Sequence, residues 1–197
     1  MMGDGAANQG QVYETTNMAA LWKLPLILLV ENNKYGMGTS AERSSFCTDY
    51  YTRGHYVPGI QCDGLDVVSV RATMEFAAEH CRSGKGPIFV EMRTYRYHGH
   101  SMSDPGKTYR DKEEVKTYRK TNDAIKNCKN RILELEWATE EELKKIEKKC
   151  SIEVEEAAKN AMADEEAHKS DRFVDIYYKE IPKFIRGTDI ENSYHRT

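Results

Sequence analysis

Several absences narrow the field before any motif is considered. The five cysteines, Cys47, Cys62, Cys81, Cys128 and Cys150, are odd in number and include no Cys-x-x-Cys pair. That pattern fits thiols in a reduced compartment, not a disulfide framework. No apolar run approaches the ~20 residues of a membrane span; the longest, Leu24 to Val30, is of strand length. Neither sign of charge dominates, with 29 basic and 32 acidic residues and a formal net charge of -3. No broad field for nucleic acid or an anionic membrane follows from such a balance, so neither partner is expected. No Gly-x-Gly-x-x-Gly or Gly-x-x-x-x-Gly-Lys-Ser/Thr run is present, which disfavours a nucleotide-binding α/β domain. No signal or transit peptide precedes the first motif.

Glycine is scarce in one region only. Twelve of the 13 glycines lie before residue 107, and Gly187 is the exception. Charge runs the other way, with 23 charged residues in 1–111 and 38 in 112–197. The chain is therefore divided at about residue 111 into a turn-rich α/β part and a charged helical part with a tail. In the first part, "LPLILLVEN" and "PIFVEMRTYR" read as buried parallel strands. "GQVYETTNMAALWKL" reads as a helix ending before Pro25. "DVVSVRATMEFAAEHCRSG" reads as a second helix, with Asp66 as N-cap, Gly84 as stop, and Val67, Val70, Met74, Ala77, Ala78 and Cys81 on its apolar face. Val67 and Phe76 are expected to help bury it. Strand-helix-strand order predicts a parallel sheet covered by helices. Gly3-Asp4-Gly5 should follow a strand of which only Met1 and Met2 remain, so the chain is expected to be the C-terminal part of a larger protein. In the second part, "TEEELKKIEKKCSIEVEEAAKNAMA" opens on a capping box, Thr139 to Glu142. It carries an apolar stripe through Leu143, Ile146, Cys150, Val154, Ala157 and Ala161, expected to pack on the domain.

The chemistry lies in two short stretches, "GDGAANQG" and "ENNKYGMGT". At a strand-to-helix junction, the glycines let the backbone turn and approach a ligand. The amides of Gly5, Ala6 and Ala7, at the first turn of a helix, then suit a phosphate or diphosphate. Asp4 beside a diphosphate requires a cation between them, and Mg²⁺ is suited to one carboxylate, phosphate oxygens and water. The next strand delivers Asn32 and Asn33 to the same edge. The Asn33 amide oxygen and the Tyr35 carbonyl can complete three protein ligands with Asp4. Taken alone, Gly-Asp-Gly is a plain turn and Asn-Asn a cap; the pairing, each at the end of an apolar element, is what points to a site.

This pairing resembles the thiamine diphosphate-binding motif. With "NMAALWKLP" and "YRYHGHSMSDPG", the chain resembles the alpha-subunit family of the decarboxylating component of mitochondrial pyruvate dehydrogenase, strongly over residues 3–111 and loosely beyond. The resemblance implies an α/β thiamine diphosphate-binding fold in the mitochondrial matrix, with Asp4, Asn33 and the Tyr35 carbonyl on Mg²⁺ and Gly5 and Ala6 on the diphosphate. It implies that His100, in a mobile loop over residues 97–110, lies near the cofactor as the active-site histidine. It also implies phosphorylation at Ser101 and Ser40 by a regulatory kinase, reversed by a phosphatase. At the third phosphorylation position the family usually has serine and this chain has Thr108, which puts that site in doubt. The remaining cofactor contacts are expected upstream of Met1, and the activating glutamate on a beta subunit within an α2β2 heterotetramer that acetylates a lipoyl acetyltransferase core. The alternatives are an alpha subunit for a branched-chain 2-oxo acid or acetoin, and a non-catalytic interaction subunit with a relic site.

Overall fold

The computed structural model describes residues 1–169, 171, 184–185 and 194–195. They fall into two compact units, Met1–Glu140 and Glu141–Thr197. The first is built on four parallel strands: β1 (Met2–Gly3), β2 (Ile27–Asn32), β5 (Gly59–Asp63) and β6 (Ile88–Arg93), in the order β1-β2-β6-β5. Met2 pairs with Val30 and Gly3 with Glu31. The last residues of a strand therefore precede Asp4, as the motif requires. β6 lies between β2 and β5, with Ile88 to Val90 buried and Val90 level with Leu29 and Ile60. Strand β5 escapes a reading from sequence, because "GIQCD" is short and carries Gln61 and Asp63 where a buried strand should be apolar.

One face of the sheet packs Leu28, Val30 and Phe89 against Ala7, Tyr50 and Val57; the other packs Leu29, Ile88 and Val90 against Ala77 and Cys81. Helix α1 (Gly10–Leu21) ends well before Pro25, and α3 (Val67–Arg82) starts where Asp66 caps it, the carboxylate accepting from the Val68 N–H at 3.0 Å. Gly84 follows the helix at φ +75°, a left-handed stop that glycine adopts freely. The expected apolar face of α3 needs correction: Val67 and Phe76 are exposed, and Thr73 is buried beside Ala77 and Cys81. Thr73, Ala77 and Cys81 repeat at i, i+4, i+8, so the buried stripe is narrower than the apolar one.

A short hairpin, β3 (Tyr35–Gly36) with β4 (Thr39–Ser40), follows β2, and α2 (Ala41–Ser44) follows the hairpin. Helices α4 (Lys112–Thr121) and α5 (Ala124–Glu134) are capped by Asp111 and Asp123. Polar links hold both to the sheet end. Glu114 accepts from the Tyr95 hydroxyl at 2.9 Å, and Arg131 donates from two nitrogens to the two Asp66 oxygens, each at 3.1 Å. Helix α6 (Glu140–Ala163) starts directly after Thr139. Its stripe is not buried: Ile146, Cys150 and Val154 are exposed. Apolar spacing identified the helix but not what covers it. A two-residue ladder, β7 (Phe184–Ile185) with β8 (Tyr194–His195), completes the described residues.

Candidate cofactor and metal site

β1 and β2 are parallel neighbours in register, so Asp4 and the Asn32–Asn33 turn leave the sheet at the same edge. Asp4 is 1% exposed, and neither carboxylate oxygen has a hydrogen-bond partner. Burial pushes its pKa up; its own N–H, the Arg96 guanidinium and the Asn33 N–H oppose this without cancelling it. A buried carboxylate left this way is costly unless a cation completes it.

The double asparagine is a pair of overlapping turns. The Asn32 Oδ1 accepts from the Lys34 N–H at 3.3 Å and the Asn33 Oδ1 from the Tyr35 N–H at 3.2 Å. Asparagine side chains close such turns on the backbone two residues on, which lets Lys34 adopt φ +72°. The Asn33 oxygen keeps a second lone pair. The Tyr35 carbonyl accepts from Arg96 Nη1 at 2.7 Å and also keeps one. Among the described residues no three His, Cys, Asp or Glu side chains are grouped to hold a metal. What this edge offers is one carboxylate with amide and carbonyl oxygens, the donor set of a hard cation such as Mg²⁺.

The turn after Asp4 differs from the expectation in detail. Ala6–Asn8 form a separate 3-10 turn, and Gln9 in extended conformation breaks the chain before α1 begins at Gly10. Gly5 and Gly36 meet backbone to backbone: a Cβ on Gly36 would stand 3.1 Å from the Gly5 Cα, and one on Gly5 3.2 Å from the Gly36 Cα. The diphosphate-type turn and the metal-type turn are thus spaced by two missing side chains. Gly36→Ala is expected to push them apart by a few tenths of an ångström and to weaken thiamine diphosphate binding by about tenfold, the effect of about 1.4 kcal/mol. Equilibrium dialysis of the cofactor against the assembled enzyme measures this, and unchanged affinity would show that the contact does not set the spacing.

His100 and Ser101 are exposed, on a loop that is more firmly tied than its polarity suggests. Asp104 accepts from the His100 N–H at 2.7 Å, the Gly106 N–H at 2.8 Å and the Tyr109 hydroxyl at 2.7 Å. These donors, His100 first, hold the Asp104 carboxyl down to about 2. Arg110 is buried, donates to the carbonyls of Arg96, His98 and Gly106, and lies against the rings of Tyr35, Tyr95 and Tyr109. Arg96 joins this loop to the metal-type turn, donating to the Tyr35 and Met37 carbonyls and to the Tyr109 hydroxyl. Ser40 stands opposite Tyr35 across the hairpin, and Thr108 is exposed. Sequence reasoning singled out neither Arg96, Asp104, Tyr109 nor Arg110. A polar loop gives no periodicity from which such ties could be read.

Over residues 1–170 the sequence matches the family described as "Dehydrogenase E1 component". It is 54% identical over 193 residues to "Probable pyruvate dehydrogenase E1 component subunit alpha, mitochondrial" of Caenorhabditis elegans, covering 98% of this chain and 49% of that protein. It is 52% identical over 194 residues to the mitochondrial pyruvate dehydrogenase E1 component subunit alpha of Dictyostelium discoideum, covering 98% and 51%. It is 51% identical over 189 residues to the somatic mitochondrial form of Homo sapiens, covering 96% and 48%. The chain spans about half the length of the curated relatives it matches.

Proposed function

Since the chain belongs to the dehydrogenase E1 component family, we propose that it forms part of the alpha subunit of a mitochondrial-matrix pyruvate dehydrogenase, active with a beta subunit as an α2β2 heterotetramer. The reaction releases CO₂ from pyruvate and passes the acetyl group and two electrons to a lipoyl disulfide on an acetyltransferase core, leaving one acetyl thioester and one thiol. Thiamine diphosphate, when bound, supplies the nucleophilic carbon and the electron sink. The chain's own residues position and neutralise. Asp4, the Asn33 amide oxygen and the Tyr35 carbonyl hold Mg²⁺; the backbone of Gly5 and Ala6 faces the diphosphate; His100 is placed by its loop for the acyl transfer. Ser101 and Ser40 are regulatory phosphorylation sites for a kinase and phosphatase; Thr108, where the family usually has serine, is not counted with them.

The observation that carries this reading is the buried Asp4 carboxylate with both oxygens unpartnered, at the edge where the Asn33 turn also ends. The relatives' names support pyruvate as substrate, and no observation favours a branched-chain, acetoin or non-catalytic alternative. The test uses the full-length subunit assembled with its beta partner. Thiamine diphosphate binding should require Mg²⁺, and turnover should favour pyruvate over 3-methyl-2-oxobutanoate. Binding without dependence on a divalent cation would refute the metal site, and preference for the branched substrate would refute the assignment.

A further inference from the structure

Glu91 is a charge where stability alone would place an apolar side chain. It is fully buried, on the central strand β6, after Ile88, Phe89 and Val90, and level with Val30 on one side and Gln61 on the other. A buried carboxylate is tolerated only when its lone pairs are taken up, and here they are divided between two directions. The Asn32 Nδ2 donates to Oε1 at 2.8 Å, and the Tyr51 N–H donates to Oε2 at 3.1 Å. Arg93 adds a looser ion pair, its Nε 3.8 Å from Oε1, while its Nη2 is engaged at 2.8 Å by Asp49.

Both directions lead to the cofactor edge. The carboxylate is the main group that fixes which way the Asn32 amide faces, with a weaker bond from the same Nδ2 to the Thr48 carbonyl at 3.4 Å: with Nδ2 on Glu91, Oδ1 is the end that accepts the Lys34 N–H. A flipped amide would set an oxygen against the carboxylate and an NH₂ against that N–H. Asn32 therefore holds the left-handed Lys34, and with it the setting of Asn33 and Tyr35. On the other side, Tyr51 belongs to a segment that braces the diphosphate turn. Arg53 Nη1 donates to the Ala7 carbonyl at 2.7 Å. The Ser45 hydroxyl donates to the Asn8 Oδ1 at 3.1 Å and lies 2.9 Å from the hydroxyl of the buried Tyr50.

We propose that Glu91 is a positioning residue for the metal site, setting the orientation of Asn32 and tying the Asn32–Tyr35 turn to the 45–54 segment that supports the diphosphate turn. This rests on the Mg²⁺–thiamine diphosphate reading above. Glu91→Gln keeps the shape but offers one acceptor to two donors, so the Asn32 amide loses its fixed orientation. Adding Asn32→Asp restores the donor–acceptor match with residue 91, the Gln amide donating to one Asp oxygen and the Lys34 N–H to the other, at the loss of the weak bond to the Thr48 carbonyl.

The experiment titrates Mg²⁺ against thiamine diphosphate binding by equilibrium dialysis in the assembled enzyme, beside the melting temperature of the metal-free assembly and kcat at saturating Mg²⁺. Glu91→Gln should raise the half-saturating Mg²⁺ concentration about tenfold or more while kcat at saturation stays within about threefold, a loss equivalent to about 1.4 kcal/mol or more. Glu91→Gln/Asn32→Asp should return the Mg²⁺ requirement to within about twofold of wild type. Wild-type Mg²⁺ affinity in Glu91→Gln overturns the proposal, as does a double variant no better than the single. If Glu91→Gln alone fails to assemble, a double variant that assembles with a near wild-type Mg²⁺ requirement supports the proposal, and one that does not overturns it. A wild-type assembly that binds the cofactor without Mg²⁺ overturns the metal reading, and this inference with it.

Discussion

Asp4→Asn should make the metal-free enzyme more stable and the cofactor-loaded enzyme much harder to form. The first half follows from burial. The carboxylate is 1% exposed and unpartnered, and its pKa is raised chiefly by desolvation. A raised carboxyl pKa means that the fold disfavours the ionised form. At pH above the folded pKa this residue costs stability, and the cost is relieved as pH falls through it. A near-isosteric amide is still a buried polar group without partners, so the replacement removes only the additional cost of burying the ionised form, about 1 kcal/mol. A gain of about 1 kcal/mol corresponds to a rise of roughly 2–4 °C in melting temperature for a domain of this size. The second half follows from charge. Without the carboxylate, a divalent cation between protein and diphosphate loses its one charged ligand in the proposed set, so Mg²⁺-dependent binding should fall by about a hundredfold or more, about 2.7 kcal/mol. Thermal melts with and without Mg²⁺ and thiamine diphosphate read both effects. Wild type should gain stability on adding them, and the variant should not. A metal-free Asp4→Asn enzyme that melts below wild type would show that the carboxylate is structural, and the site as described would fail.

Phosphorylation of Ser101 should release the 97–110 loop and abolish acetyl transfer while weakening Mg²⁺–thiamine diphosphate binding much less. The phosphate adds close to two negative charges and three strong acceptors. It would enter a turn already organised by one anion: the Asp104 N–H donates to the Ser101 carbonyl at 3.1 Å, and Asp104 itself, held down to about 2, is ionised at neutral pH. The chain doubles back so closely there that a Cβ on Gly99 would lie 1.9 Å from the Asp104 carbonyl oxygen, so the turn that carries Ser101 is also the one that carries Asp104. Repulsion from Asp104, and competition for the donors Asp104 now holds, should reduce the ordered population by about a hundredfold. Acetylation of a lipoyl domain should fall accordingly, and protease cleavage within 97–110 should rise. Asp104→Asn should raise cleavage without any phosphate, and Ser101→Ala should remain active and resist the kinase. Full overall activity of the phosphorylated enzyme, or an unchanged cleavage rate, would sink this mechanism.

Some elements are legible in the amino-acid sequence for local reasons. The strands around Leu28 and Phe89 are continuous apolar runs, and Asp66 sits where a helix N-terminus needs an acceptor. The Asp4 and Asn33 turns are ordinary singly, and it is their pairing at the ends of apolar elements that points to a site. Other features depend on partners remote in sequence. Glu91 stands out in "PIFVEMR" as a charge inside an apolar strand, but what it grips, Asn32 and Tyr51, is 59 and 40 residues away. Strand β5 is an edge strand with only Cys62 buried, held by its pairing with β6 and not marked by its own composition. The polar residues of the 97–110 loop suggest a weakly held segment. Its order comes instead from one buried arginine and one aspartate, whose bonds run mostly to backbone carbonyls and N–H groups, which carry no side-chain signal in the sequence.

The ring of tyrosines around Arg110 and Glu114 gives the loop an optical signature. Tyr95 stacks on Tyr118 at 4.2 Å with the planes 2° apart, and Tyr97 and Tyr109 complete the surround with Tyr35. Burial first, and then the neighbouring Glu114, push the Tyr35 and Tyr95 phenols up, and burial does the same for Tyr97. These chromophores should therefore remain un-ionised in mild alkali while the loop is closed, and should yield phenolate absorbance earlier once it opens. Both tryptophans, Trp22 and Trp137, are exposed. In an alkaline titration the Tyr35, Tyr95 and Tyr97 rings should therefore contribute the late part of a phenolate curve to which all 12 tyrosines add, and loss of the ties around Arg110 should be read as that late part moving to lower pH.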